Sequence, residues 1–172
     1  YLTINAEIKV QPNWNATIFL LSTLSAIYTA SIIFDWKNKG IKIDSILKLK
    51  QYVSINKLRT YQGTLAGFGG GFGEHQSNPP SISPEILEDL LLEVFRELVS
   101  QGKQLIIPYD NLENVELDRL SEIFKSIRDY LQIEGFHSLF IGPPSVISAL
   151  EAHGQVHSVF NRPLILKSLT EA

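Results

Sequence analysis

The chain has 172 residues, 44% of them apolar, and a formal charge of −3. That length suits one domain with a sizeable core and argues against wholesale disorder. It contains no cysteine, which excludes disulfides and thiolate zinc sites. No basic footprint marks it as a direct nucleic-acid partner.

The sequence starts at Tyr1 and contains no Met. It is therefore expected to be part of a longer product, with residues 1–172 forming a single α/β domain. Residues 1–10 show partial period-two alternation with β-branched positions and suit a strand. Pro12 and Asn13 punctuate, and either Asn13 or Asn15 can cap the helix that follows. Residues 14–34 carry no formal charge. Their length approaches that of a bilayer span, but interspersed Asn, Ser and Thr favour a buried core helix. Ile18, Leu21, Leu24 (or Ser25) and Tyr28 fall at helical spacing, with Ser22, Ser25 and Thr29 on the more polar side. Trp14 and Trp36 are read as core or edge packing.

Residues 35–50 are polar and basic, with Gly40 as a break and Asp44 as a cap for a short helix. Residues 51–60 suit a helix or a strand. A Gly/Pro-rich stretch follows at about 63–84. Gly67, Gly69 and Phe72 mimic a dinucleotide fingerprint but fail at its last glycine, and the Lys-Ser/Thr of a phosphate-cradling loop is missing. The stretch reads as an extended surface linker.

Ser83, Pro84 and Glu85 form a helix start: an N-cap, a proline at the first helical position, and an acid at the positive end. Ile86, Leu87, Leu90, Leu91, Val94, Phe95 and Leu98 then make a wide apolar stripe, which Gly102 ends. Residues 105–109 form an apolar strand that delivers Asp110 at its carboxyl end. Residues 114–131 are expected to be one helix, with Leu117, Leu120, Ile123, Phe124, Ile127 and Leu131 recurring at three and four, and Gly135 closing the turn. A strand at 137–141 and a helix at 146–152 capped by Ser145 follow. Residues 164–166 suggest another strand, and Thr170 with Glu171 a further helix start. Strands alternating with helices at these spacings imply a mostly parallel sheet in a three-layer sandwich.

An apolar strand ending in Asp can hold Mg²⁺ beside nucleotide phosphates. Asn111, which follows it, cannot serve as a base. Glu113 is the next acid, and it either positions water or caps the coming helix. His153 and His157, spaced i and i+4, are a weak metal pair, because Gly154 lies between them and no third ligand is evident. No Gly-x-Ser-x-Gly elbow supports serine-nucleophile chemistry.

The segment from Gly102 to Ala172 resembles the back half of a P-loop NTPase of the AAA+/STAND type. Asp110-Asn111-Leu112-Glu113 matches its apolar strand, Asp, any residue, Leu, acid pattern. Residues 137–142 fall in the place of the sensor strand, and residues 1–10 in that of the second strand. A polar residue is expected at the sensor tip, where Gly142 and Pro143 stand, with Ser138 or Ser145 as substitutes. The resemblance implies an ATP-binding regulatory switch in the cytoplasm, using ATP and Mg²⁺. Asp110 would hold the metal, Glu113 would position water, and Arg128 and Arg162 would contact phosphate. Self-association or a protein partner is implied, and a membrane partner is not expected. Hydrolysis would require a phosphate loop preceding Tyr1. The alternative is a catalytically inactive P-loop-like scaffold that binds protein partners through its Gly-rich loop and acidic helix. A more distant reading tethers the domain to a membrane through residues 14–34.

Overall fold

A computed structural model describes residues 2–4, 7–45, 48 and 83–152. The Gly-rich stretch up to residue 82, residues 51–60, Arg162, the His153/His157 pair, and the expected elements at 164–166 and 170–171 lie outside the described residues. The fold is α/β with a small, open, parallel sheet. Strand β3 (Leu105–Asp110) is its interior member. β1 (Leu2–Thr3) and β2 (Ile8–Lys9) share one edge of β3, and β4 (Phe136–Phe140) takes the other, all parallel.

The expected first strand is thus present but interrupted. Leu2 pairs with Leu105, whereas Ile8 pairs with Tyr109. The edge chain therefore advances six residues where β3 advances four.

Helix α1 (Ala16–Ile33) opens on Asn15, whose side-chain oxygen accepts the Ile18 N–H at 2.9 Å. It packs on β2 and on two further helices, α2 (Pro84–Ser100) and α3 (Leu117–Ser126). Its buried positions include Phe19, Leu20, Thr23, Leu24 and Ile27. Ile18 and Tyr28 are only partly buried, so the core face is rotated from the one that spacing suggested. Helix α2 starts and stops at the expected positions, although the Ser83 side chain makes no capping hydrogen bond. Ser83 stands before Pro84, and Gly102 adopts φ +68° beyond its end. Its stripe is buried from Leu87 to Leu98, while Ile86 remains exposed.

The single helix expected over 114–131 is divided. A 3₁₀ turn (Leu112–Asn114) precedes α3, and α4 (Arg128–Leu131) follows a break at Ile127. The break turns Tyr130, rather than Leu131, into the core. Helix α5 (Pro144–Ala152) starts two residues earlier than expected, with Pro144 in its first turn. Proline suits that position because its missing N–H would have no partner there. Ser145 is therefore inside the helix and exposed, not its cap.

β3 alternates strictly. Leu105, Ile107 and Tyr109 are buried, while Ile106, Pro108 and Asp110 are half-buried. The buried face meets the helices through aromatic rings. Phe19 stacks on Tyr109 at 4.5 Å, Phe95 lies 4.7 Å from Phe136, and Phe124 lies 4.7 Å from Phe140. Such pairs add to the roughly 1.5–3 kcal/mol that burying each large apolar side chain contributes. On the other face Leu139 and Ile141 stay 49% and 38% exposed.

Three hydroxyls are threaded through this core. Thr23 Oγ1 donates to the Phe19 carbonyl at 2.9 Å, which uses its one proton. The Tyr109 hydroxyl, 2.8 Å away, must then donate to Thr23. The Tyr130 hydroxyl, at 3.3 Å, must in turn donate to Tyr109. Burial pushes both phenols well above their usual range, so both stay protonated.

Tyr109→Phe should cost about 1–3 kcal/mol, because it strands the buried Tyr130 hydroxyl and takes away the donor to Thr23, which keeps its bond to the Phe19 carbonyl. Combining it with Thr23→Val and Tyr130→Phe should recover much of that loss, and thermal melts of the two proteins measure both effects. Glu88 on α2 offers a pH-dependent test. Burial, then Glu85, Asp129 and Asp89, raise its pKa. The folded chain thus holds the Glu88 proton more tightly than the unfolded chain. That stabilisation is complete below the unfolded value of about 4.3 and is lost as pH rises through the folded value. Glu88→Gln should therefore raise the melting temperature at about pH 7 and leave it unchanged at about pH 3.5.

Candidate functional site at the strand tips

In open α/β sheets ligands bind beyond the carboxyl ends of the strands. Here those ends are laced together. The Val10 N–H donates to the Asp110 carbonyl at 2.9 Å, and the Ile141 N–H donates to the Tyr109 carbonyl at 2.7 Å. Asn114 Nδ2 closes the group by donating to the Val10 carbonyl at 3.0 Å. The tips of all three rows of the sheet are thereby held in one place.

Asp110 is the last residue of β3. Tyr109 points into the core, so strand alternation turns Asp110 to the opposite face. Its Oδ1 accepts the Asn111 N–H at 2.8 Å. Asn111 occupies the left-handed region at φ 66°, which Asn tolerates better than most residues. That turn drops Leu112 into the core and leaves Glu113 exposed. Glu113 bends toward the tip of β4. A Cβ added at Gly142 would meet Glu113 Oε2 at 3.7 Å and Leu112 Cβ at 3.2 Å. A side chain at Gly142 would therefore press on Leu112 and only touch Glu113.

Two cations at this end were missed by sequence reasoning. Lys9 pairs in register with Asp110, so the two residues sit side by side on one face of neighbouring strands. Only the parallel pairing of the first row with the middle row reveals this. Arg119, in the first turns of α3, reaches the Pro12 and Asn13 carbonyls at 3.4 and 3.3 Å. It clamps the loop between β2 and α1.

Arg128 does not join them. Helix α3 runs ten residues away from the strand tips before Arg128 opens α4, a rise of about 15 Å. Arg128 is exposed there. Ser138, a proposed substitute for a polar sensor tip, lies mid-strand in register with Ile107. Its hydroxyl is buried and finds no hydrogen-bond partner among the described residues.

Among the described residues no group of three or more His, Asp or Glu gathers as a metal cage. A magnesium ion needs no such cage, because it binds through one or two carboxylates together with water and substrate phosphates. Compared with known families, curated proteins and solved structures, the chain finds no match.

Asn114→Ala should remove the tie to Val10 at a cost of about 1 kcal/mol. Amide exchange at Val10 should accelerate while exchange at Leu105, at the far end of β3, stays slow.

Proposed function

We propose that the chain is the nucleotide-binding part of a AAA+/STAND-like regulatory switch, using ATP with Mg²⁺. The observation that supports it most is the position of Asp110. It caps the interior strand of a parallel sheet, with a lysine beside it and a second acid three residues on. In this reading Asp110 holds Mg²⁺, usually through water, while Lys9 faces phosphate oxygens. Glu113, exposed and close to Gly142, orients the attacking water and takes up its proton. The bound metal would supply charge neutralisation on the phosphates. The reading carries with it a three-layer, P-loop-like arrangement in which α1 to α4 form one helical layer.

No Gly-x-x-x-x-Gly-Lys-Ser/Thr occurs in the 172 residues. The triphosphate cradle must then come from outside them, so the decisive test uses the full-length product. Asp110→Ala should abolish Mg²⁺-dependent ATP hydrolysis and weaken Mg·ATP binding. Glu113→Gln should retain binding and lower turnover by about 10²-fold or more. Unchanged hydrolysis by Asp110→Ala would reject the site. The second reading, an inactive scaffold for protein partners, draws on the exposed Leu139 and Ile141 of the second sheet face. Absence of any nucleotide binding by the full-length wild type would favour it.

A further inference from the structure

The far end of α1 is unlike the rest of that helix. Ile32 and Ile33 are 60% and 68% exposed, although the helix between Phe19 and Ala30 is largely core. The chain then turns through residues 34–43 on a firm footing. The Phe34 N–H donates to Ala30, Trp36 to Ser31, and Ile41 to Trp36, all at 2.9–3.1 Å between backbone atoms. Trp36, Ile41 and Ile43 are buried anchors. Between them Lys37, Lys39 and Lys42 are all exposed. Gln101, just beyond α2, holds the backbone of Lys42 through its side-chain amide, with the Lys42 N–H donating to Gln101 Oε1 at 2.8 Å. The acid within residues 32–42 is Asp35, and its carboxylate accepts from Asn38 Nδ2 at 2.7 Å. Asp44, also exposed, follows the buried Ile43.

A hydrogen-bonded turn thus exposes two large aliphatic side chains and, within the next nine residues, three lysines, one of them (Lys39) with its ammonium 6.0 Å from the Phe34 ring centroid. Water solvates the lysines well but the isoleucines poorly. An acidic protein groove would satisfy the charges, yet a bilayer with anionic headgroups satisfies both halves of the patch. The aliphatic groups enter the acyl boundary and the ammonium groups meet phosphates and carboxylates.

We propose that the Ile32/Ile33 and Lys37/Lys39/Lys42 patch docks the domain peripherally on an anionic lipid surface. This is attachment, not a span, because the Phe19, Thr23 and Ile27 face of α1 is occupied by the protein's own core. The patch lies at the opposite end of an 18-residue helix from Asn15, about 27 Å from the strand tips. Vesicle binding and nucleotide binding are therefore separable readouts.

The test is flotation of the 172-residue chain with phosphatidylcholine vesicles, with and without about 30% phosphatidylserine. Binding is expected only to the anionic vesicles and should be lost at about 0.5 M salt. Ile32→Ser/Ile33→Ser changes exposed positions only, and circular dichroism checks that the fold is kept. It should weaken binding by about tenfold or more. Lys37→Glu/Lys39→Glu/Lys42→Glu should weaken it by about 10²-fold, at roughly fivefold per lysine. Equal binding to both vesicle types, no binding to the anionic ones, or full binding by either folded variant would overturn the proposal. So would a dimer in sedimentation that is lost in the isoleucine variant and accompanied by no vesicle binding, since the patch would then belong to a second copy of the chain.

Discussion

The direction of three hydroxyl protons ties this fold together. A carbonyl can only accept, so the Phe19 oxygen fixes the Thr23 proton, and the order passes on to Tyr109 and Tyr130. The three links join α1, β3 and α4 inside an otherwise apolar layer. Apolar contacts alone tolerate sliding by a fraction of a side chain. A buried hydroxyl left without its partner does not, because nothing else can solvate it. Together with the backbone pairing on both sides of β3, the chain of hydroxyls holds the face that the strand turns to the core. The orientation of Asp110 follows from that facing.

Most elements could be read from residue spacing, and the reason is physical. The stripe from Leu87 to Leu98, with Ser83 and Pro84 before it and Gly102 behind it, satisfies every local rule for a helix at once. The run from Leu105 to Tyr109, closed by Asp110, is likewise an interior strand. What escaped reading depends on partners distant in sequence. The break at Ile127 serves Tyr130, which has to reach a hydroxyl 21 positions away in the chain. The core face of α1 is set by Thr23, whose partner Tyr109 lies 86 positions on. A serine or threonine on a helix looks like its polar side until that partner is known.

The site was legible in half. Asp110 and Glu113 stood out because acids after an apolar run are chemically conspicuous. Lys9 did not, since a lysine near the end of an amphipathic stretch is ordinary until its register is fixed. Arg128 looked suitable by its order along the chain, but helix α3 carries it away from the strand tips. Arg119, three residues beyond Glu116 and in the first turns of α3, stays at that end and holds the Pro12 and Asn13 carbonyls. A carboxylate at a strand's end can be read from one strand. A charge that complements it from a neighbouring strand cannot.

The surplus length of the first row has its own effect on how the molecule meets its neighbours. An unbroken edge strand offers a regular series of N–H and C=O groups to any passing extended chain. In this protein the edge holds step with β3 for two residues, loses it, and regains it at Ile8. A foreign strand that matched Leu2 and Thr3 would be out of phase by the time it reached Lys9. Among the described residues, that irregularity breaks the regular repeat on which runaway strand association depends.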